Sequence, residues 1–421
     1  MNIVDIYNNQ DSIIRFIPKN TQFLLLGEST HGTREFYEIR SKITQELVEY
    51  NDFNIIFFET DWLNVIHINQ YIQSDTSSFD TASETLDNIN KFPEWMWKND
   101  IIIELIEWLK VHNQKMEKKI YVLGMDCYLL VESYHYIIGF LENMDIELCN
   151  KIKKDLHFLN SYDNTQKFMH FVVHHPDQSL VSFYENYFQH ILITIQNKYD
   201  TYFEFCKEKN IDTLYLITLE QSAEVMINSF EYFKKQYSEP PGSNVSWNTR
   251  DQHMLMTLMK LNEKIPNSKM IIWAHNSHIS DSTATNNSSQ EFTKNDTWNL
   301  GQMSRAILPN TYIIGFGTYQ GTVTAASKWG NKHEQFVLQL PIKDSIEYYI
   351  YKLAQERNMT NCVINLRKKN DLIEFNQYTK QRMIGVIYNF NNELQSHYIS
   401  SIFSNHYDLY IFISYTHALI S

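Results

Sequence analysis

Five short apolar runs recur along the chain: FLLLGE (23–28), NIIFFE (54–59), IYVLGMD (120–126), KMIIWAH (269–275) and TYIIGFG (311–317). Runs of this length that end in Gly, Asp, Glu or His read as buried parallel strands emerging into loops at one edge of a sheet. Four of the five bring a polar side chain to that edge. Between the first two, REFYEIRSKITQELVEY repeats Phe36, Ile39, Ile43 and Leu47 at three- and four-residue spacing, which predicts a crossover helix with one apolar face. Further strands are predicted at CVINL (362–366), RMIGVIY (382–388) and LYIFIS (409–414). The stretch from 130 to 235 has no strand pattern and is dense in Tyr, Phe, Leu and charged residues, so it reads as a helical insertion, a candidate substrate cap. Polar loops are marked at SEPPGSNVSWNT (238–249), where the chain is expected to re-enter the core, and at 280–296. The resulting division is 1–129 and 241–421 as two parts of an α/β core, with 130–240 as the insertion.

Composition narrows the function. At 421 residues the chain has room for one large α/β domain with an insertion, and 43% hydrophobic with 14% aromatic residues suits a packed globule holding a concave cavity. A formal net charge of −13 and a pI near 5.7 repel phosphate backbones, so nucleic acid is not an expected partner. The cysteines at 127, 149, 206 and 362 form no CxxC pair and fit a reducing compartment. The first residues are interrupted by Asp5, Asn8, Asn9, Gln10 and Asp11, and no run of 18 apolar residues occurs. No membrane association is expected, and the expected location is cytoplasmic.

The sharpest local feature is GESTHGTREFYEIR (27–40), which turns the first strand into the crossover helix. Gly27 and Gly32 permit an unusual backbone path, and Thr30 or Thr33 would cap the helix, leaving His31 at its amino end, where the dipole favours a neutral imidazole. Glu28, three residues earlier, would fix the tautomer of His31 and stabilise the imidazolium formed when it takes a proton from water. One His beside one Glu is more often an ordinary turn. Glu59 at the mouth of a neighbouring strand and His275 and His278 in WAHNSH add groups from two more strand ends, where open α/β sheets place ligands. The same cluster is also a candidate divalent-metal site, although no HExxH is present. No cofactor is required by the acid–base reading.

Alternative chemistry has less support. There is no GxSxG elbow, and Ser29 and Ser277 have no triad pattern around them, so direct attack by an activated water is the simplest hydrolytic scheme. Arg34 or Arg40 would stabilise the oxyanion; Arg40, beside the buried stripe, needs a partner or the cavity. Glu35 is a secondary candidate, better read as compensating the helix dipole. His170, His174 and His175 in HFVVHHP have helical ligand spacing but read as a helix end before Pro176. Trp95 and Trp97 in FPEWMWKND read as core or pocket wall.

Taken together, GESTHGTREFYEIR, the Glu59 strand end, FPEWMWKNDIIIELIEWLKVHN, VLGMD, NTRDQHML, WAHNSH and the GQ at 301 and 302 resemble the erythromycin esterase family in order and spacing across residues 20 to 320. The resemblance implies a three-layer α/β/α core with a mostly parallel sheet and a helical insertion capping an active-site cleft. It implies a carboxylic ester hydrolase that opens a macrolide lactone with a His-activated water, the substrate being a small-molecule ester. The family's catalytic base falls on His31, and its other functional positions fall on Glu28, Arg40, Glu59, His275 and His278. Gly32 stands where well-known macrolide-inactivating members carry an aromatic ring, which implies a reshaped pocket wall. Two other uses of the scaffold are a metal- or haem-binding protein with His275 and His278 as ligands, and a hydrolase or transferase of envelope polysaccharide metabolism.

Overall fold

The computed structural model describes residues 3–5, 13–73, 78–240, 243–286, 297–367 and 373–420. Its strands are β1 (Ile3–Asp5), β2 (Phe23–Leu26), β3 (Ile55–Asp61), β4 (Tyr121–Asp126), β5 (Met270–Trp273), β6 (Thr311–Ala326), β7 (His333–Val337), β8 (Asn361–Asn365), β9 (Tyr378–Arg382), β10 (Tyr398–Ile402) and β11 (Leu409–Thr416). Nine of them form one sheet in the order β1-β8-β11-β6-β2-β5-β3-β4, with β7 paired to β6. β2 runs parallel to β5 and β6, β3 parallel to β5, and β11 parallel to β6. β8 is antiparallel to β1 and β11, and β7 is antiparallel to β6. The architecture is therefore a mostly parallel central sheet with flanking helices. The unbroken apolar runs have their cause here: every position of β2, β3 and β5 is buried.

The helices used below are α1 (Arg34–Asn51), α2 (Ile66–Gln73), α3 (Asp100–Lys115), α4 (Leu130–Met144), α5 (Ile146–Asp155), α6 (Thr165–His174), α7 (Ser179–Asn197), α8 (Tyr199–Glu208), α9 (Thr213–Ser238), α10 (Val245–Lys264) and α11 (Asn276–Ile279). On one sheet face, Leu24, Leu26, Ile56, Phe58, Ile271 and Trp273 form a core with Phe36, Ile43 and Leu47 of α1 and Leu105 and Leu109 of α3. The buried side of α1 is turned slightly from the stripe read in sequence. Ile39 is only partly covered, while Tyr37, Arg40 and Thr44 are fully buried. Trp95 and Trp97 belong to this core, Trp97 stacking on Phe58 at 4.6 Å between centroids.

Two compact units divide the chain: 1–59, 65–123 and 259–421 in one, and 60–64 with 124–258 in the other. The second is helical, with its own core of Leu141, Ile152, Phe168, Phe188, Leu219 and Phe230 among others. Inside it the motifs VLGMD and NTRDQHML meet: Arg250 donates from Nε and Nη2 to the two Asp126 oxygens at 2.8 and 2.6 Å. Asp61 accepts from the Tyr128 and Leu129 amides at 2.6 and 3.0 Å, and burial with the Asp126 charge pushes its carboxyl well above the usual range. The loop at 238–249, of which 241–242 lie outside the described residues, links α9 to α10 and is not the point of return to the sheet.

CVINL and LYIFIS are β8 and β11, as expected. RMIGVIY is not a strand of the main sheet. Only Arg382 is in a strand, the end of β9, which pairs with β10 in a separate two-stranded sheet. The next amides are used elsewhere: Met383 donates to the His397 carbonyl at 2.8 Å and Ile384 to the Ser29 carbonyl at 2.7 Å. Of the loop at 280–296, residues 287–296 lie outside the described residues. Among the described residues no helix is long and apolar enough to cross a membrane.

Candidate active site

The loop between β2 and α1 is shaped by backbone hydrogen bonds to distant segments. Gly27 donates to the Ile314 carbonyl at 2.8 Å, and the Gly32 carbonyl accepts from Thr324 at 3.0 Å and Leu419 at 2.9 Å. The first amide of α1, Arg34, donates to the His417 carbonyl at 2.9 Å. Thr33 occupies the N-cap position, but its side chain makes no cap bond and pairs with the Thr30 hydroxyl instead. Gly32 faces strand backbone and not a pocket: a Cβ there would sit 1.8 Å from the Thr324 carbonyl oxygen. A ring at this position has no space, so the residue reflects close packing and not a reshaped pocket wall.

On this loop His31 points Nδ1 at Glu28 Oε1, 2.8 Å away, in an environment where the two residues are 6% and 1% exposed. Glu28 accepts through its other oxygen from Arg40 Nη2. The Arg40 guanidinium is fully buried, with its carbon 4.5 Å from the Tyr37 ring centroid and 4.6 Å from that of Trp273. These cation–π contacts replace water around a charge that α1 delivers to the core. Its Nε and Nη1 find no hydrogen-bond acceptor among the described residues. Because the Glu28 carboxylate only accepts, His31 carries its proton on Nδ1 and leaves Nε2 as a basic nitrogen.

The order β2-β5-β3 places the end of β5 between the other two strand ends. His275 therefore lies beside His31, ring centroids 4.7 Å apart, and its amide donates to Glu59 Oε2 at 2.8 Å. Glu59 Oε1 is 3.2 Å from His278 Nε2. His275 Nδ1 accepts from the Ser277 amide at 3.2 Å and lies 2.8 Å from its hydroxyl, so the neutral ring holds its proton on Nε2. That Nε2 is buried. Burial, then the neighbouring His31, hold the His275 imidazolium well below the usual histidine range, against the pull of Glu59. The two rings thus have opposite roles available: His31 as a proton acceptor backed by a carboxylate, His275 as a neutral N–H donor.

Glu28, His31, Arg40, Glu59, His275 and His278 are brought together by these contacts, with Arg40 behind Glu28 and not at an open surface. Arg34 is not part of the group, since it pairs with Glu38 and Asp100 at 2.8 Å. Glu35 instead binds His417, through the amide at 2.9 Å and Nδ1 at 2.6 Å. Tyr37 and Trp273 were not singled out by the sequence, and Ser277, weighed there only as a nucleophile, instead orients the His275 ring. Tyr37 donates to the His31 carbonyl at 3.0 Å, and Trp273, held by donation to Thr44 at 3.1 Å, packs its ring against the Arg40 guanidinium. The spacing of Tyr37 and Arg40 on α1 is the one signal that pointed to the Tyr37 ring. Among the described residues no three His, Cys, Asp or Glu side chains gather as a metal-ligand group.

Comparison with known proteins bears on this arrangement. Residues 48–416 match the family model described as erythromycin esterase, a span that begins after Glu28, His31 and Arg40. The putative hydrolase YbfO of Bacillus subtilis (strain 168) is 21% identical over 358 residues, 82% of this chain and 75% of that protein. A solved succinoglycan biosynthesis protein aligns with a TM-score of 0.75 at 19% identity, covering 97% of this chain and 91% of its own. A mutant of the erythromycin esterase EreC in its open conformation aligns at 0.69 and 14% identity, covering 99% and 98%. At these identities the solved structures establish the shared fold.

Proposed function

The chain belongs to the erythromycin esterase family of hydrolases, and from that premise we propose that it hydrolyses a carboxylic ester, a macrolide-type lactone being the substrate class, with water activated by His31. The observation that carries this reading is the buried line Arg40–Glu28–His31, with the His275 ring 4.7 Å from that of His31 between centroids. In the proposed reaction His31 Nε2 takes a proton from water as the water oxygen bonds to the ester carbonyl carbon. Glu28, held by Arg40 through its other oxygen, stabilises the resulting imidazolium. The carbonyl oxygen becomes an oxyanion and accepts from His275 Nε2–H, a donor oriented before the reaction starts. Collapse breaks the carbon–oxygen bond, and the leaving alkoxide takes the proton back from His31. Glu59 holds the His275 amide and His278, which keeps the donor in place.

The test is mass spectrometry of a macrolide panel and simpler lactones incubated with wild type and His31→Ala, each with and without a chelator. The expected result is addition of one water by wild type, loss of at least about 10²-fold in His31→Ala with the fold retained, and no effect of chelator. A fully active His31→Ala protein would remove the base from the scheme. Chelator sensitivity would replace His-activated water with metal-bound water.

A further inference from the structure

Outside the residues assigned above, the helical unit carries a second histidine pair. We propose that His170 and His174, one turn apart at the C-terminal end of α6, form a two-nitrogen site for a borderline divalent cation such as Zn²⁺, Ni²⁺ or Cu²⁺. Residues four apart share a helix face, and here the two imidazoles lie side by side, centroids 4.3 Å apart and planes 28° from parallel. Each imidazole lone pair lies in its ring plane, so a cation about 2.0–2.1 Å from both nitrogens is reached when the exposed His170 ring turns out of the stack while His174 keeps its bond to the helix.

The hydrogen bonding selects the ligand atom. His174 Nδ1 is 2.8 Å from the His170 carbonyl. A carbonyl only accepts, so Nδ1 carries the proton and Nε2 keeps the lone pair. Ligating histidines are commonly oriented by this same donation to a backbone oxygen. His175 is adjacent in sequence but does not join. Its ring faces Phe171 at 5.0 Å between centroids, and its Nδ1 is engaged by the Asp177 amide at 3.1 Å. The Tyr237 ring flanks the pair at 5.9 and 6.0 Å from His170 and His174 and contributes a wall. Both ligand rings are exposed, so the remaining coordination positions open to water. Paired imidazoles select Zn²⁺, Ni²⁺ or Cu²⁺ over Ca²⁺ and Mg²⁺, which prefer oxygen. Chelation across one turn ties down the end of α6 just before Pro176.

The experiment is titration of the full chain with Cu²⁺, followed by electron paramagnetic resonance and calorimetry, in a His31→Ala, His275→Ala background. That background removes any contribution from the hydrolytic site. The expected result is saturable binding with nitrogen hyperfine coupling from two imidazoles. His170→Ala and His174→Ala should each weaken it at least about tenfold and His175→Ala should leave it unchanged, with circular dichroism showing the same helix content. Binding that survives both substitutions, equal loss in His175→Ala, or no saturation by about 1 mM metal would overturn the proposal.

Discussion

Replacing Gly32 with Ala tests how closely the geometry of the base depends on the backbone beneath it. The new Cβ would lie 1.8 Å from the Thr324 carbonyl oxygen, 2.6 Å from its carbon and 2.8 Å from its Cα, all of them strand backbone. Non-bonded contact needs more than about 3 Å, so loop and strand must separate by more than about 1 Å. That movement strains the two hydrogen bonds accepted by the Gly32 carbonyl, at 3.0 and 2.9 Å. At about 0.5–1.5 kcal/mol each, their loss costs about 1–3 kcal/mol of stability, a few degrees in Tm. The effect on rate is larger, because a displacement of about 1 Å at a catalytic group costs about 10²-fold. The assay is kcat/KM on whichever ester the panel identifies, alongside thermal unfolding. Gly139→Ala is the control. A Cβ at Gly139 meets nothing within 4 Å, and the residue sits inside α4, so this variant should keep full activity and gain about 0.5–1 kcal/mol. Gly32→Ala with wild-type kcat/KM would refute the argument that β6 positions His31.

Two further outcomes follow from the charges. Arg40→Met leaves the Glu28 carboxylate, 1% exposed, with His31 as its remaining ring partner, and should cost about 3–5 kcal/mol in urea unfolding; a change below about 1 kcal/mol would mean that the buried Arg40–Glu28 pair does not hold this part of the fold together. His275→Gln should flatten the acid limb of stability. The folded His275 resists protonation, whereas the unfolded ring takes a proton near pH 6.5. Wild type therefore loses up to about 1.4 kcal/mol per pH unit as pH falls below about 6.5, a loss the variant lacks. Parallel pH–stability curves for the two proteins would place the effect on other histidines.

The strand ends were legible because a buried parallel strand leaves a long apolar run and then a polar residue where it meets the loop. Glu28 and His275 stand at such points, while β3 runs two residues past Glu59. Which carboxylate serves which histidine was not legible, since it depends on β5 entering between β2 and β3, and strand order is not written in periodicity. Arg40 showed as a charge on a buried stripe, but its partner lies twelve residues back, across the loop. The misread segment at 382–388 has a plain cause. Its apolar pattern is that of a strand, while its backbone is spent on Ser29 and His397. The contributions of Ile384, His417 and Leu419 to the loop are main-chain hydrogen bonds, which leave no side-chain signature.

Those same bonds set an order of events during synthesis. The residues that carry the ionisable groups of the loop are made early, yet two of the carbonyls that shape it wait for partners at Ile384 and Leu419. At about 5–20 residues per second, a ribosome needs roughly 20–80 s to travel from Gly32 to Leu419. Until then the nascent chain holds Glu28, His31 and Arg40 without the frame that aligns them. A polypeptide cut short before Leu419 would keep nearly every titratable group of the site and still lack a fixed base, so the proposed activity would double as a report that translation has passed β11 and reached Leu419.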